Sequence, residues 1–429
     1  MLDRTIQPEI KSLDEFNALI PERLKFPNGV PVNVLNVGNK EIVRIDFVFD
    51  AGRWHQEHKL QALFTNNMLR EGTASMTASE IAEKLDFYGA WLDLSVSVSH
   101  AFVTLYSLNK YLEHTLDVLE SMLKEPTFPE KELDVKVSNN LQQYYIGLKK
   151  TNVLAQKMFQ RVLYGAEHPF GVSAEEEDYR QVNPVMLKAF FDSFYHSQNC
   201  TIFVSGKVSE ACLEMIRRRF GDAPFGKPQE HPVHKTFEVK TAEEKCFFVE
   251  QPESSQSSVR MGIVTLDGDH PDFFKLRVLI TLFGGYFGSR LMSNIREDKG
   301  YTYGISAGVT SYPTTPALVI GAETTPEFVK PLITEVYHEI DNLQQELVSE
   351  DELDMVRNYM IGDMCRNCES AFSWADAWIY ACTLDLPDTY FSDFFKAIKD
   401  TSAEDIRQLA QRYLCKETLK EVVSGKKMS

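Results

Sequence analysis

The chain has 429 residues, 43% of them hydrophobic and 11% aromatic, enough for at least two cores, because single cores stop growing near about 250 to 300 residues. Its 62 acidic and 45 basic side chains give a formal net charge of −17, with no segregated Lys/Arg face, which argues against a nucleic-acid partner. The opening "MLDRTIQPEIKSLDEF" has no apolar stretch after a basic start and no later run approaches about 18 uninterrupted apolar residues, so neither a membrane segment nor an export signal is expected, and the cytoplasm is the expected location.

In chain order, "EIVRIDFVFDAG" alternates as a strand does. The stretch "WHQEHKLQALFTNNMLREGT", Trp54 to Thr73, opens on His55, Glu57 and His58 and runs into a helical pattern that carries no metal ligand. His55 and His58 stand three apart, a spacing that one helical face can present to a metal, whereas on a solvated turn such polar residues are ordinary. "GAWLDLSVSVSHAFVTLYSL" supports two strands around a turn near Ser99 and His100. Helix-period patterns follow, and within them a repeat begins: "PEKELDVKVSNNL" at 129 to 141 is echoed by "SEDELDMVRNYM" at 349 to 360, Glu132, Leu133 and Asp134 matching Glu352, Leu353 and Asp354 at an offset of 220.

A second pair, the segment ending "IFVSGK" at Lys207 and the one ending "EVVSGK" at Lys426, lies at an offset of 219. Two separate matches at nearly one offset predict a duplicated domain. Between the copies "GDAPFGKPQEHPVHKTFEVK" has the Pro, Gly and His content of an exposed linker, so a first domain over 1–230 and a second over 231–429 are expected, with His231 and His234 as linker residues. The second half again opens on a strand, "SSVRMGIVTL". Strands followed by amphipathic helices, twice over, predict two homologous α+β domains, each a mainly antiparallel sheet packed with helices, facing each other across a cleft.

The seven cysteines are odd in number and spread thinly, which fits reduced thiols. Cys365 and Cys368 form a lone C-x-x-C, a pattern shared by redox pairs and half zinc sites, with neither a second pair nor Pro or Gly between them. "FGGYFGSR" lacks the Lys-Ser/Thr ending of a phosphate loop. Gly284, Gly285 and Gly288 fit either a mobile loop passing close to a substrate peptide or a plain helix-entry turn.

"HPDFFKLRVLITLFGGYFGSRLMSNIREDKGYTYGISAG" in the second half, with "AGRW", "MLREGT" and "GAWLDLSVS" in the first, resembles the pitrilysin or insulinase family of zinc peptidases in its short, two-domain form. The family's signature is H-x-x-E-H on the helix leading into "MLREGT": two His on one face bind Zn²⁺ and the Glu deprotonates the attacking water. Here the five positions read Leu63, Phe64, Thr65, Asn66 and Asn67. The third ligand, a Glu on a later helix, would fall on Gln142 or Gln143 of "NNLQQYY". Neutral carboxamides are poor Zn²⁺ ligands and cannot act as a base near pH 7, so no metal is expected on this chain.

The resemblance also matches Arg296 and Tyr303 of "IREDKGYTYG" to the Arg and Tyr that the family's second domain contributes, a guanidinium and a phenol suited to stabilising the carbonyl oxygen during amide hydrolysis. Without the family, Arg296 pairing with Glu297 or Asp298 and Tyr303 packing in a strand would be the preferred reading of this half. The implied function is a non-catalytic subunit of a heteromeric zinc metallopeptidase, enclosing peptide substrate and lending Arg296 and Tyr303 to a sister subunit with an intact H-x-x-E-H that holds the zinc. The alternatives are a pseudo-peptidase acting as a binding or assembly subunit, and an autonomous metallohydrolase using His55 and His58. The isolated chain is compatible with a homodimer.

Overall fold

The computed structural model describes residues 13–227, 235–310, 312 and 314–427. The expected boundary at 230, with His231 and His234, lies outside the described residues. The first half runs β1 (Glu22–Lys25), β2 (Pro31–Asn36), β3 (Ile42–Phe49), α1 (Gln61–Met68), α2 (Ala78–Phe87), β4 (Trp91–Val96), β5 (Ala101–Leu108), α3 (Leu112–Lys124), α4 (Glu130–Gly147), α5 (Thr151–Tyr164), α6 (Glu176–Gln181), α7 (Pro184–Phe194), β6 (Cys200–Gly206) and α8 (Glu210–Phe220). The second runs β7 (Cys246–Glu250), β8 (Ser257–Val264), α9 (Phe273–Ile280), β9 (Thr302–Val309), β10 (Ala317–Thr324), α10 (Val329–Gln345), α11 (Glu350–Arg366), α12 (Ala371–Thr383), α13 (Tyr390–Asp400), α14 (Ala403–Tyr413) and β11 (Lys420–Gly425).

Six strands form one sheet in the order β1-β2-β6-β3-β5-β4 and five form another in the order β7-β11-β8-β10-β9. Each contains one parallel pair, β2 with β6 and β7 with β11, and is otherwise antiparallel. The chain is therefore α+β with two sheets packed by helices, as the strand-then-helix pattern predicts. The repeated tripeptides occupy like places: Glu132–Asp134 and Glu352–Asp354 lie near the starts of α4 and α11, and Lys207 and Lys426 each follow the last strand of their half. Helix starts follow local chemistry, as in the Thr77/Glu80 capping box of α2 and the Ser402/Asp405 box of α14, each satisfying otherwise orphaned N–H groups.

Alternation along the strands sends residues to two faces. Val43, Ile45, Phe47 and Phe49 of β3 point into a core with α1, α3, α7 and α8, and Val259 and Met261 of β8 into a second core with α9, α10, α11 and α14. The opposite faces are covered by exchanged helices. Val48 of β3, with Leu35 and Phe203, packs on Trp374, Ala375 and Trp378 of α12, a second-half helix. Val422 of β11 and Ala317 pack on Ala155, Phe159 and Val162 of α5, a first-half helix. Gly262 of β8 makes the latter contact possible, since a Cβ there would stand 2.8 Å from the Phe159 ring and 2.0 Å from the Leu318 carbonyl oxygen. Beside each exchanged helix the sheet keeps an open basin, about 360 Å³ over β3–β5 and about 510 Å³ over β8–β10.

Candidate functional site

The degenerate motif lies on α1, where the chain enters through Leu60 with φ of +68°, a left-handed conformation strained for a branched residue. The Gln61 side chain steadies this entry: its oxygen accepts from the Glu57 and His58 amides at 3.0 and 3.4 Å, and its amide donates to the Met186 carbonyl of α7 at 2.9 Å. Leu63 and Asn67, the two His positions, are half-buried on one helical face. Asn66, in the place of the catalytic Glu, is fully buried. Its Nδ2 donates to the carbonyl oxygens of Ser95 at 3.0 Å and Phe102 at 3.1 Å, and its Oδ1 accepts from the Tyr195 hydroxyl at 3.1 Å. The amide thus ties α1 to the β4–β5 hairpin and to the end of α7. A carboxylate has no N–H to offer the two carbonyls, so the position suits an amide and not a base.

Gln142 and Gln143 are exposed on α4. The donor set does not fit zinc: one candidate ligand position is an aliphatic side chain, the rest are carboxamides, and the base position is consumed by structural bonds. Among the described residues no group of three or more His, Cys, Asp or Glu side chains is placed to hold a metal ion. His55 lies in the turn before α1, its Nε2 2.7 Å from Asp50 Oδ1 and its ring against Phe194, while Glu57 and His58 are exposed. The structure does not bring His55 and His58 together as ligands. Cys365 and Cys368 are free thiols, and burial, reinforced by Cys365, pushes the Cys368 thiol up to about 11, away from the thiolate a redox pair needs.

Arg296 and Tyr303 do meet. Arg296 stands in a wide-turn segment, Met292–Asp298, that leads to β9, the edge strand of the second sheet. Its Nε donates to the Tyr303 carbonyl at 3.1 Å, its guanidinium lies 4.7 Å from the centroid of the Phe287 ring, and its Nη1 is 3.5 Å from Glu297. Along β9, Thr302 opposes Thr324 and Ile305 opposes Ala322, so Tyr303 and Gly304 together face Glu323. This bulge breaks the inward–outward alternation, and the Tyr303 ring is thrown clear of the sheet at 94% exposure. Packing of Tyr303 within its strand is therefore excluded. Phe287, 63% exposed, joins the cluster without any pattern in the sequence to announce it.

The three glycines divide. Gly284 is buried, and a Cβ there would stand 2.7 Å from both the Cβ and the N of Ala307. It is a packing glycine beneath β9 and does not reach a substrate, a correction to the loop reading. Gly285 and Gly288 are exposed. The basin over the first sheet carries a group that the sequence did not single out: Arg44 pairs with Asp46 at 2.8 Å and with Asp376 of the exchanged α12 at 2.6 Å. Burial pushes the Asp46 carboxyl upward against the opposing pull of Arg44.

The model for the insulinase family, peptidase family M16, matches residues 33–164, and that for the peptidase M16 inactive domain matches residues 181–360. The chain belongs to the insulinase family. A Bacillus subtilis relative named an uncharacterized zinc protease is 23% identical over 363 residues, 82% of this chain and 85% of that one. A Helicobacter pylori relative named a non-peptidase homolog is 25% identical over 242 residues, 56% of this chain and 55% of that one. The crystal structure of a peptidase M16 inactive domain from Pseudomonas fluorescens superposes with a TM-score of 0.82 at 23% identity, covering 96% of this chain and 99% of that chain. These likenesses support an insulinase-family chain of the non-catalytic type. Among the described residues no helix is long and apolar enough to cross a membrane.

Proposed function

We propose that this chain is a non-catalytic subunit of a heteromeric zinc metallopeptidase in the cytoplasm. It binds no zinc itself, encloses peptide substrate, and supplies Arg296 and Tyr303 to the active site of a sister subunit whose H-x-x-E-H is intact. The observation that carries this reading is the contrast between the two halves. In the first, the base position is an amide whose two N–H donors and oxygen are all engaged in internal hydrogen bonds. In the second, a phenol stands exposed on an edge strand beside a guanidinium that is steadied by backbone and ring. A Tyr thrown clear of its strand buries little surface of its own chain, and its phenol is free to donate to a substrate carbonyl in a partner's site. Exposed Gly285 and Gly288 flank Phe287 and leave room for a peptide backbone to pass.

The test is a complex with a zinc-bearing sister chain in which Arg296→Ala or Tyr303→Phe is introduced in this chain alone. Loss of one preorganised donor to a developing oxyanion is expected to lower kcat by about 10²- to 10³-fold, with zinc content and assembly unchanged. Full activity with both residues changed would transfer support to a binding or assembly role without a part in hydrolysis. A fall in activity that tracks dissociation of the subunits would make the pair an interface element instead.

A further inference from the structure

The second half contains a cavity at the place that corresponds, within its own repeat, to the lost zinc site of the first. Gln61 at the start of α1 bonds α7 at Met186, and Lys275 near the start of α9 bonds the equivalent helix α14 at Asp405, 2.8 Å from its Nζ. The spacing that takes Gln61 to Lys275 takes Leu63 to Arg277 and Asn67 to Thr281. The offset of 220 that aligns α4 with α11 takes Gln143 to Asp363. Arg277, Thr281 and Asp363 all line one cavity of about 310 Å³ enclosed by α9, α11, α12 and α13.

Its lining is chemically divided. One wall is apolar and polarisable, with Met360, Met364 and Phe391 beside Tyr359. The other is Arg277, whose Nη1 donates to the Tyr390 hydroxyl at 2.9 Å and whose guanidinium stacks 4.0 Å above the Phe394 ring. Among the described residues Arg277 makes no ion pair, although Arg290 and Arg357, equally half-buried on this half, each hold a carboxylate. The one carboxylate of the lining, Asp363, is already answered by Arg366 and by Asn367 at 2.9 Å. Tyr390 is 5% exposed, and burial pushes its phenol up to about 12, so it stays a neutral partner and leaves the guanidinium's charge uncompensated. The guanidinium donors that Tyr390 does not take are available to the cavity that half-buried Arg277 lines, where a charge-assisted pair with an anion is favoured.

We propose that this cavity binds a carboxylate carried on an apolar or aromatic body, with Arg277 as the counter-ion and the methionine and aromatic wall receiving the body. The carboxylate belongs either to a free amino-acid-sized acid or to the C-terminus of a peptide, two sources with one chemistry. The site is independent of the role proposed for Arg296 and Tyr303, and its test needs no partner subunit.

The probes are N-acetylphenylalanine and the peptide Ala-Ala-Ala-Phe, each as free acid and as primary amide, titrated calorimetrically into the full chain. The acids are expected to bind about tenfold or more tightly than the amides, the discrimination that a charge-assisted hydrogen bond gives. Arg277→Met should abolish that ratio. If Arg277→Met does not fold, Arg277→Lys is expected to keep a preference for the acid while weakening it several-fold, because the charge remains and the planar fork is lost. Tighter binding of the tetrapeptide acid identifies a C-terminus as occupant, and tighter binding of N-acetylphenylalanine a free acid. Equal affinity for acid and amide, a preference that survives in Arg277→Met, or no binding of any probe at millimolar concentration would overturn the proposal. Displacement of N-acetylphenylalanine by inorganic phosphate at equal concentration would overturn the requirement for an apolar body.

Discussion

Replacing Asn66 by Ala tests whether the base position of the family motif has become a structural staple. The substitution removes three hydrogen bonds, to the carbonyls of Ser95 and Phe102 and from the hydroxyl of Tyr195, at a site with no exposure. With about 1 kcal/mol net for each, and more where a buried carbonyl is left unsatisfied, the expected loss is about 3 to 4 kcal/mol. Asn66→Glu, which restores the catalytic residue type, should cost at least as much: it forfeits both N–H donors and buries a carboxylate. Tyr195→Phe removes one bond and should cost about 1 kcal/mol, with the Asn66→Ala/Tyr195→Phe double variant less destabilised than the sum of the two. Urea unfolding followed by tryptophan fluorescence measures all four, and hydrogen exchange at the β4–β5 amides localises the effect. An Asn66→Ala loss below about 1 kcal/mol, or strict additivity with Tyr195→Phe, would refute the assignment.

Gly284→Ala, which drives a methyl to 2.7 Å from Ala307, is expected to cost about 1 to 3 kcal/mol, whereas Gly285→Ala, whose nearest contact is 3.3 Å, should cost less than about 1 kcal/mol in the same assay. Trp378→Ala on the exchanged α12 removes a 3% exposed ring and its bond to the Leu19 carbonyl at 2.7 Å; a loss of about 3 to 5 kcal/mol is expected, with exchange protection falling in β2 and β6 of the other half. Burial depresses the proton affinity of His100 and His168 in the folded chain, so the unfolded state takes up more protons as pH drops through about 6.5. Their contribution to stability is complete above that pH and lost below it, and the urea midpoint should fall between pH 7.5 and pH 5.5; a flat or rising midpoint would contradict this.

Much of the architecture is legible in the chain because it is local or repeated. The "GAWLDLSVSVSHAFVTLYSL" alternation becomes the β4–β5 hairpin with its turn at residues 97–100, and the matches near an offset of 220 mark equivalent elements in both sheets. Leu63 to Asn67 do lie on a helix. What was not legible depends on partners far along the chain. Asn66 and Tyr195 are separated by 129 positions, and nothing near either announces the other. The bulge that exposes Tyr303 arises from the pairing of β9 with β10, and no residue at 302–304 encodes it alone. Gly284 reads in sequence as loop freedom because composition cannot distinguish a glycine needed for motion from one needed for close packing. The amphipathic pattern of a helix such as α5 indicates a face to be buried, and not which sheet will bury it.

The crossing of α5 and α12 means that neither repeat is self-sufficient. Each would expose the flank of a sheet and an unsheltered helix if made alone. A chain severed between residues 227 and 235 should therefore remain one particle, its fragments clasped by mutual embrace, and separately expressed halves should be insoluble until mixed. The same logic reaches backward to the duplication. A gene for a single repeat would have made a polypeptide that could complete itself by trading this helix with an identical copy, as domain-swapped dimers do.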